Sequence, residues 1–121
     1  MDSKKNIASL KKDVQRFCEV RDWDQYHGAK DLAIGIITEA SELLEHFRFK
    51  DEKAVERIFR DVKKKREISH EMADIFYFLL RLTQRYDIDL SAALAEKMEL
   101  NEKRYPVHKS KGSNKKYSEF K

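Results

Sequence analysis

The chain has 121 residues, enough for one domain with a modest core. Hydrophobic and charged residues each make up 40% of it, and three Gly and one Pro are too few turn formers for a multi-stranded β fold. The single cysteine, Cys18, excludes an internal disulfide, no apolar run is long enough to span a membrane, and the net charge of +4 is unevenly spread.

Taken in chain order, residues 4–20 carry Ile7, Leu10, Val14, Phe17 and Cys18 at helical spacing and predict a first helix. Cys18 reads as a small core hydrophobe of that helix. The polar, aromatic segment RDWDQYHG (21–28) breaks the pattern as a connector. Residues 29–49 predict a second helix, on which Leu32, Ala33, Ile36, Ile37, Ala40, Leu43, Leu44 and Phe47 fill an arc of about 140°. A charged stretch, 51–66, keeps a thin apolar stripe (Val55, Ile58, Phe59, Val62) and predicts a short helix leading into a longer one. That longer helix, 66–87, gathers Ile68, Met72, Ile75, Phe76, Leu79, Leu82 and Tyr86 on one face. Asp87 or Asp89 can cap a last helix, 90–104, which Pro106 ends. The expectation is an all-α antiparallel bundle of four to five helices, one domain over 1–106, with a basic tail over 107–121. The tail lacks periodicity and is expected to be extended or disordered unless it docks on a partner subunit. A bundle this small with a polar cleft gains core by oligomerising, so a homo-oligomer is expected.

From Lys97 onward eight Lys/Arg face three acids, a local charge of +5 that leaves residues 1–96 near −1. The basic end can attract polyanions, but the body argues against a nucleic-acid-coating protein. The opening MDSKKNIASLKK leads into no apolar h-region, so a soluble cytoplasmic protein without a membrane partner is expected.

The chemistry lies in four acids. A solvated helix face is the ordinary explanation for a Glu-x-x-Glu in so charged a chain. Glu39, Glu42, Glu71 and Asp74 differ, because none has a Lys or Arg three or four residues away, although the chain holds 26 of them. Glu56, by contrast, has Lys53 and Arg60, and Asp61 has Lys64 and Lys65. Two of the four also point inward: Glu71 falls between Phe78 and Leu82, and Glu39 lies about 20° from Leu32, beside Gly35. An ionised carboxylate buried without a partner costs several kcal/mol, so such groups are protonated, paired or metal-bound. Two facing helices with two carboxylates each make an all-oxygen cage, which selects a hard cation such as Mg²⁺. Glu67-x-x-His70 is a single Glu-x-x-His, whereas a di-iron bundle needs two.

With Glu39-Ala-Ser-Glu42 and Glu71-Met-Ala-Asp74 in hand, the chain resembles the MazG-like all-α NTP pyrophosphohydrolases, and within them the dCTP pyrophosphatase branch. RDWDQYH (21–27), SELLEHFRF (41–49), EMADIFYFLLRL (71–82), DIDL (87–90) and KMELNEKRYPVHKSKGSNKKYSEF (97–120) carry the resemblance over most of the chain. It implies hydrolysis of a nucleoside triphosphate, dCTP or a modified dCTP, between the α- and β-phosphates, to a monophosphate and pyrophosphate. It also implies a homotetramer or homodimer with the active site between helices. Glu39, Glu42, Glu71 and Asp74 match the Mg²⁺ ligands of the family, and Trp23, Asp24, Gln25, Tyr26 and His27 match a substrate-contacting segment. Phe49 stands where relatives often have Trp, and Phe78 where they have Tyr.

Beyond those matches, Glu45, one turn past Glu42, joins the four acids as a candidate general base. Lys97, Asn101 and Arg104 lie one turn apart on the last helix and can hold a departing pyrophosphate. The competing reading is a non-catalytic helical oligomer that binds nucleotides or another protein through the same cleft.

Overall fold

A computed structural model describes residues 1–121 as six α-helices and two 3₁₀ turns, with no strand. They form two compact units, Met1–Asp87 and Ile88–Lys121. In the first unit, α1 (Ile7–Glu19) starts at Asn6, whose side chain accepts from Ser9 N–H at 2.8 Å while the Ser9 hydroxyl accepts from Asn6 N–H. That reciprocal cap holds Asn6 extended and puts the helix start three residues after the expected one. A 3₁₀ turn, Asp24–Tyr26, occupies the connector.

Helix α2 (Ala29–Glu45) follows Gly28, which has no side chain to cap it. The Tyr86 hydroxyl fills that role, accepting from Ala29 N–H at 2.8 Å. The expected end at residue 49 is not reached: the chain turns after His46, and Phe49 takes the left-handed region at φ 60°. Helix α3 (Glu52–Ile58) is capped by Asp51, and α4 (Val62–Arg85) by Asp61, whose carboxylate accepts from Lys64 N–H. Asp61 thus starts α4 four residues earlier than its apolar pattern suggests.

Helices α1 and α2 both pack on α4. Cys18, Leu32, Ile68 and Leu80 form the buried apolar centre. The broad apolar faces expected of α2 and α4 are only partly covered, because each is wider than one neighbouring helix. Ile37 and Leu44 on α2, and Met72 and Phe76 on α4, stay exposed. Phe78 packs closely on Gly35, where a Cβ on residue 35 would lie 2.7 Å from the ring. Glycine's missing side chain brings the two helices together at the level of the acids.

In the second unit, α5 (Leu90–Arg104) is capped by Asp89, which accepts from Ala92 N–H at 2.9 Å. Pro106, with φ −62°, has no N–H for the preceding helix but suits the start of the next, the one-turn α6 (Val107–Ser110). The tail, expected to be extended or disordered, instead contains α6 and a 3₁₀ turn (Tyr117–Glu119). Tyr117 and Phe120 meet the Tyr105 ring edge-on at 5.8 and 5.9 Å, which ties the tail to the end of α5. No helix is long and apolar enough to cross a membrane.

Gly35→Ala is expected to lose about 1–3 kcal/mol through overpacking against Phe78, less the roughly 1 kcal/mol that Ala gains over Gly in a helix. The shift of the urea midpoint measures the balance, and a more stable variant would show that the approach is not tight.

Candidate metal centre and substrate cavity

Glu39 and Glu42 sit one turn apart on α2, and α4 carries Glu71 opposite them. One carboxylate oxygen from each of the three lies within 4.8 Å of the others. Glu39 Oε2 and Glu71 Oε2 are buried and have no hydrogen-bond partner. His46 Nε2 comes to 3.7 Å from Glu71 Oε1, too far for a hydrogen bond.

Burial first, then a hydrogen bond with Glu42, then the charges of Glu42, Asp74 and Glu71 push the Glu39 carboxyl up to about 7. A cation among these oxygens would reverse every one of the charge effects and supply the orphaned oxygens with a partner. The all-carboxylate donor set and the two unpartnered oxygens therefore fit a hard divalent ion. Asp74 belongs to the same field, since its charge acts on Glu39, but its side chain is exposed and lies outside the three-carboxylate cluster.

A cavity of about 470 Å³ opens beside the acids, lined by Glu42, Glu45, His46, Lys50, Ile58, Lys64 and Glu71. It places Glu45 on the same wall as Glu42. It also brings in Lys50 and Lys64, which the sequence reading missed because neither lies three or four residues from an acid of the cavity, the spacing that signals contact along one helix.

Of the connector residues, Trp23 is half-buried and edge-on to Phe17 at 5.6 Å and to His27 at 6.0 Å. Asp24 and His27 are both bound by Arg81 of α4, a residue the sequence reading passed over. A cation inside the apolar run FYFLLRL was the available clue. Gln25 turns back to Asp22, donating to its carbonyl at 3.0 Å, and Tyr26 is exposed. Phe78 packs on Gly35, while Phe49 is 95% exposed and lies outside the apolar core. Lys97, Asn101 and Arg104 all lie on α5 in the second unit, where the Arg104 guanidinium covers the Tyr117 ring at 4.7 Å.

The chain belongs to the MazG-like family, whose model fits residues 34–120, a span that includes all four acids. Among curated proteins it is similar to dCTP pyrophosphatase 1 of Rattus norvegicus, at 34% identity over 104 residues, 86% of this chain and 61% of that protein. It is also similar to dCTP pyrophosphatase 1 of Bos taurus, at 31% over 118 residues, 98% of this chain and 70% of that protein. The chain thus spans about three fifths of the length of the rat relative. Among solved structures it is similar to a pyrophosphatase from Archaeoglobus fulgidus, with a TM-score of 0.77, 33% identity, and coverage of 82% of this chain and 91% of that one.

The raised Glu39 pKa gives a signed prediction. A carboxyl whose folded value exceeds its unfolded 4.5 binds its proton more tightly when folded, so without a cation stability falls as pH rises from about 4.5 to about 7. A cation competes with that proton, so Mg²⁺ is expected to stabilise the chain strongly at pH 8 and little at pH 5. At a hundred times its Kd the gain is about 2.7 kcal/mol, read by thermal unfolding.

Proposed function

We propose that this chain is a Mg²⁺-dependent pyrophosphohydrolase that cleaves a nucleoside triphosphate, dCTP or a modified dCTP, between its α- and β-phosphates. The observation that carries the reading is the pair of buried, unpartnered oxygens of Glu39 and Glu71 beside a cavity lined with both acids and lysines. The family, and the names of its relatives, support the reaction class and the base.

Glu39, Glu42 and Glu71, with Asp74, would hold the ion, which when bound supplies charge neutralisation at the phosphates and a more acidic water. Glu45, which lines the cavity, is proposed to take the proton of the attacking water. Lys50, and Lys64 whose ammonium also pairs with Glu67 at 3.2 Å, line the cavity and would offer N–H donors to phosphate oxygens. Lys97, Asn101 and Arg104 are proposed to hold the departing pyrophosphate. Trp23, Asp24, Gln25, Tyr26 and His27 are proposed to contact the nucleotide, with Trp23, Phe49 and Phe78 as the apolar surfaces for the base.

The working form is proposed to be a homodimer or homotetramer. The exposed Ile37, Leu44, Met72 and Phe76 leave apolar surface on α2 and α4 that a second copy would cover.

With dCTP and Mg²⁺ the expected products are the monophosphate and pyrophosphate, resolved by chromatography. Glu39→Gln and Glu71→Gln are each expected to cut turnover by more than about 100-fold, beyond the roughly 10–100-fold typical of outer-shell changes. Undiminished turnover in both would sink the site assignment, and saturable nucleotide binding without turnover would favour the non-catalytic reading. Ile37→Glu is expected to lower the mass seen by light scattering.

A further inference from the structure

Arg81 is the most deeply buried charge in the chain, with 0% of its side chain exposed. A guanidinium taken out of water needs hydrogen-bond partners, and each of the three nitrogens of this one has a partner. Nε donates to His27 Nδ1 at 2.9 Å, Nη1 donates to Gln84 Oε1 at 2.6 Å, and Nη2 donates to the Asp24 carboxylate. Arg85 reinforces the last contact, with Nη1 3.4 Å from Asp24 Oδ2. Two of Arg81's three partners therefore come from the connector between α1 and α2. That segment has only one 3₁₀ turn of its own to hold its shape.

The contact to His27 has a chemical consequence. Guanidinium nitrogens have hydrogens to give and no lone pair to receive. Nδ1 of His27 must therefore be the acceptor, so the ring is neutral and its one proton sits on Nε2. We propose that Arg81 is a positioning residue: it locks His27 as the neutral Nε2–H tautomer, so that the connector offers a bound nucleotide one fixed, uncharged N–H donor. This rests on the proposed function for the identity of the ligand, but not for the state of the ring.

The groups facing His27 are Arg81 and Arg85 from α4, Asp24 from the connector and Asp31 from the first turn of α2. Burial first, then the two arginines, lower its pKa from the ordinary 6.5, and the two aspartates only partly oppose them. A folded value below the unfolded one means that the stability this ring contributes is present above 6.5 and is lost as pH falls through the folded value. Protonation puts a hydrogen on Nδ1 that faces the Arg81 Nε–H, and the connector is then pushed off α4.

Long-range ¹H–¹⁵N correlation of the imidazoles in the full chain tests this, with the His27 signals assigned by their loss in His27→Gln. The metal-free wild type at pH 7 is expected to show Nδ1 unprotonated and Nε2 protonated, with a titration midpoint below 6.5. Arg81→Lys keeps a charge but loses the Nε–H, and it is expected to give a mixture of tautomers and a higher midpoint. Adding dCTP without metal should shift the wild-type Nε2–H resonance. Arg81→Lys should weaken that binding about ten-fold, one hydrogen bond of about 1.4 kcal/mol. A protonated Nδ1 in the wild type overturns the proposal, and this outcome is decisive even if Arg81→Lys does not fold. So does a tautomer unchanged in Arg81→Lys, or a His27 signal that dCTP leaves untouched. The expected shift and weakening without any hydrolysis would instead overturn the proposed activity and leave the role of Arg81 standing.

Discussion

Two carboxylate oxygens, one on Glu39 of α2 and one on Glu71 of α4, are buried without a partner. Left ionised, each would cost several kcal/mol, and the third carboxylate of the cluster, Glu42, adds repulsion. A chain as charged as this could have placed a lysine beside either acid, yet the helical neighbours are neutral or acidic. The arrangement is sustained by the tight packing of α2 and α4 around Gly35 and Phe78, which holds the acids together against their own field. Relief comes from a proton on Glu39 or from a cation, and these compete for the same oxygens.

An aromatic chain carries that packing outward. Phe78 meets Tyr77 edge-on at 5.1 Å, Tyr77 meets Phe17 at 6.1 Å, and Phe17 meets Trp23 at 5.6 Å. The Tyr77 hydroxyl lies 3.2 Å from the buried Cys18 sulfur, and burial followed by that contact pushes its pKa up. Cys18 is thus a packed neighbour of the ring chain. The connector ends up clamped twice, by this apolar contact on Trp23 and by the buried Arg81 on Asp24 and His27. A loop held by both is ordered before any ligand arrives, which reduces the entropy lost on binding.

Charge and apolar surface divide the rest of the molecule. The first unit holds the acids and the cavity, and the second contains the whole of the 97–121 segment, with its local charge of +5. Helices α2 and α4 each expose apolar residues that the single chain does not cover. Phe49 is 95% exposed and takes a positive φ, a region where bulky residues rarely sit.

The sequence by itself determined the helices and the identity of the acids. Period-3.6 patterning is local, so it placed α2, α4 and α5; Pro106 marked the end of α5, and of the two candidate caps, Asp87 and Asp89, the structure uses Asp89. It also singled out Glu39, Glu42, Glu71 and Asp74, because the absence of a helical counter-charge can be counted along one chain. Only the tertiary structure decided how the wheels divide, with Ile68 and Leu80 inside and Met72 and Phe76 outside, since the covered part of a face depends on which helix lies against it. It alone drew Glu39, Glu42 and Glu71 into one cluster while leaving Asp74 outside the 4.8 Å set, and brought Lys50 and Lys64 to the cavity wall. The Arg81 contacts span 54 and 57 residues to His27 and Asp24, a separation over which sequence spacing carries no geometric information.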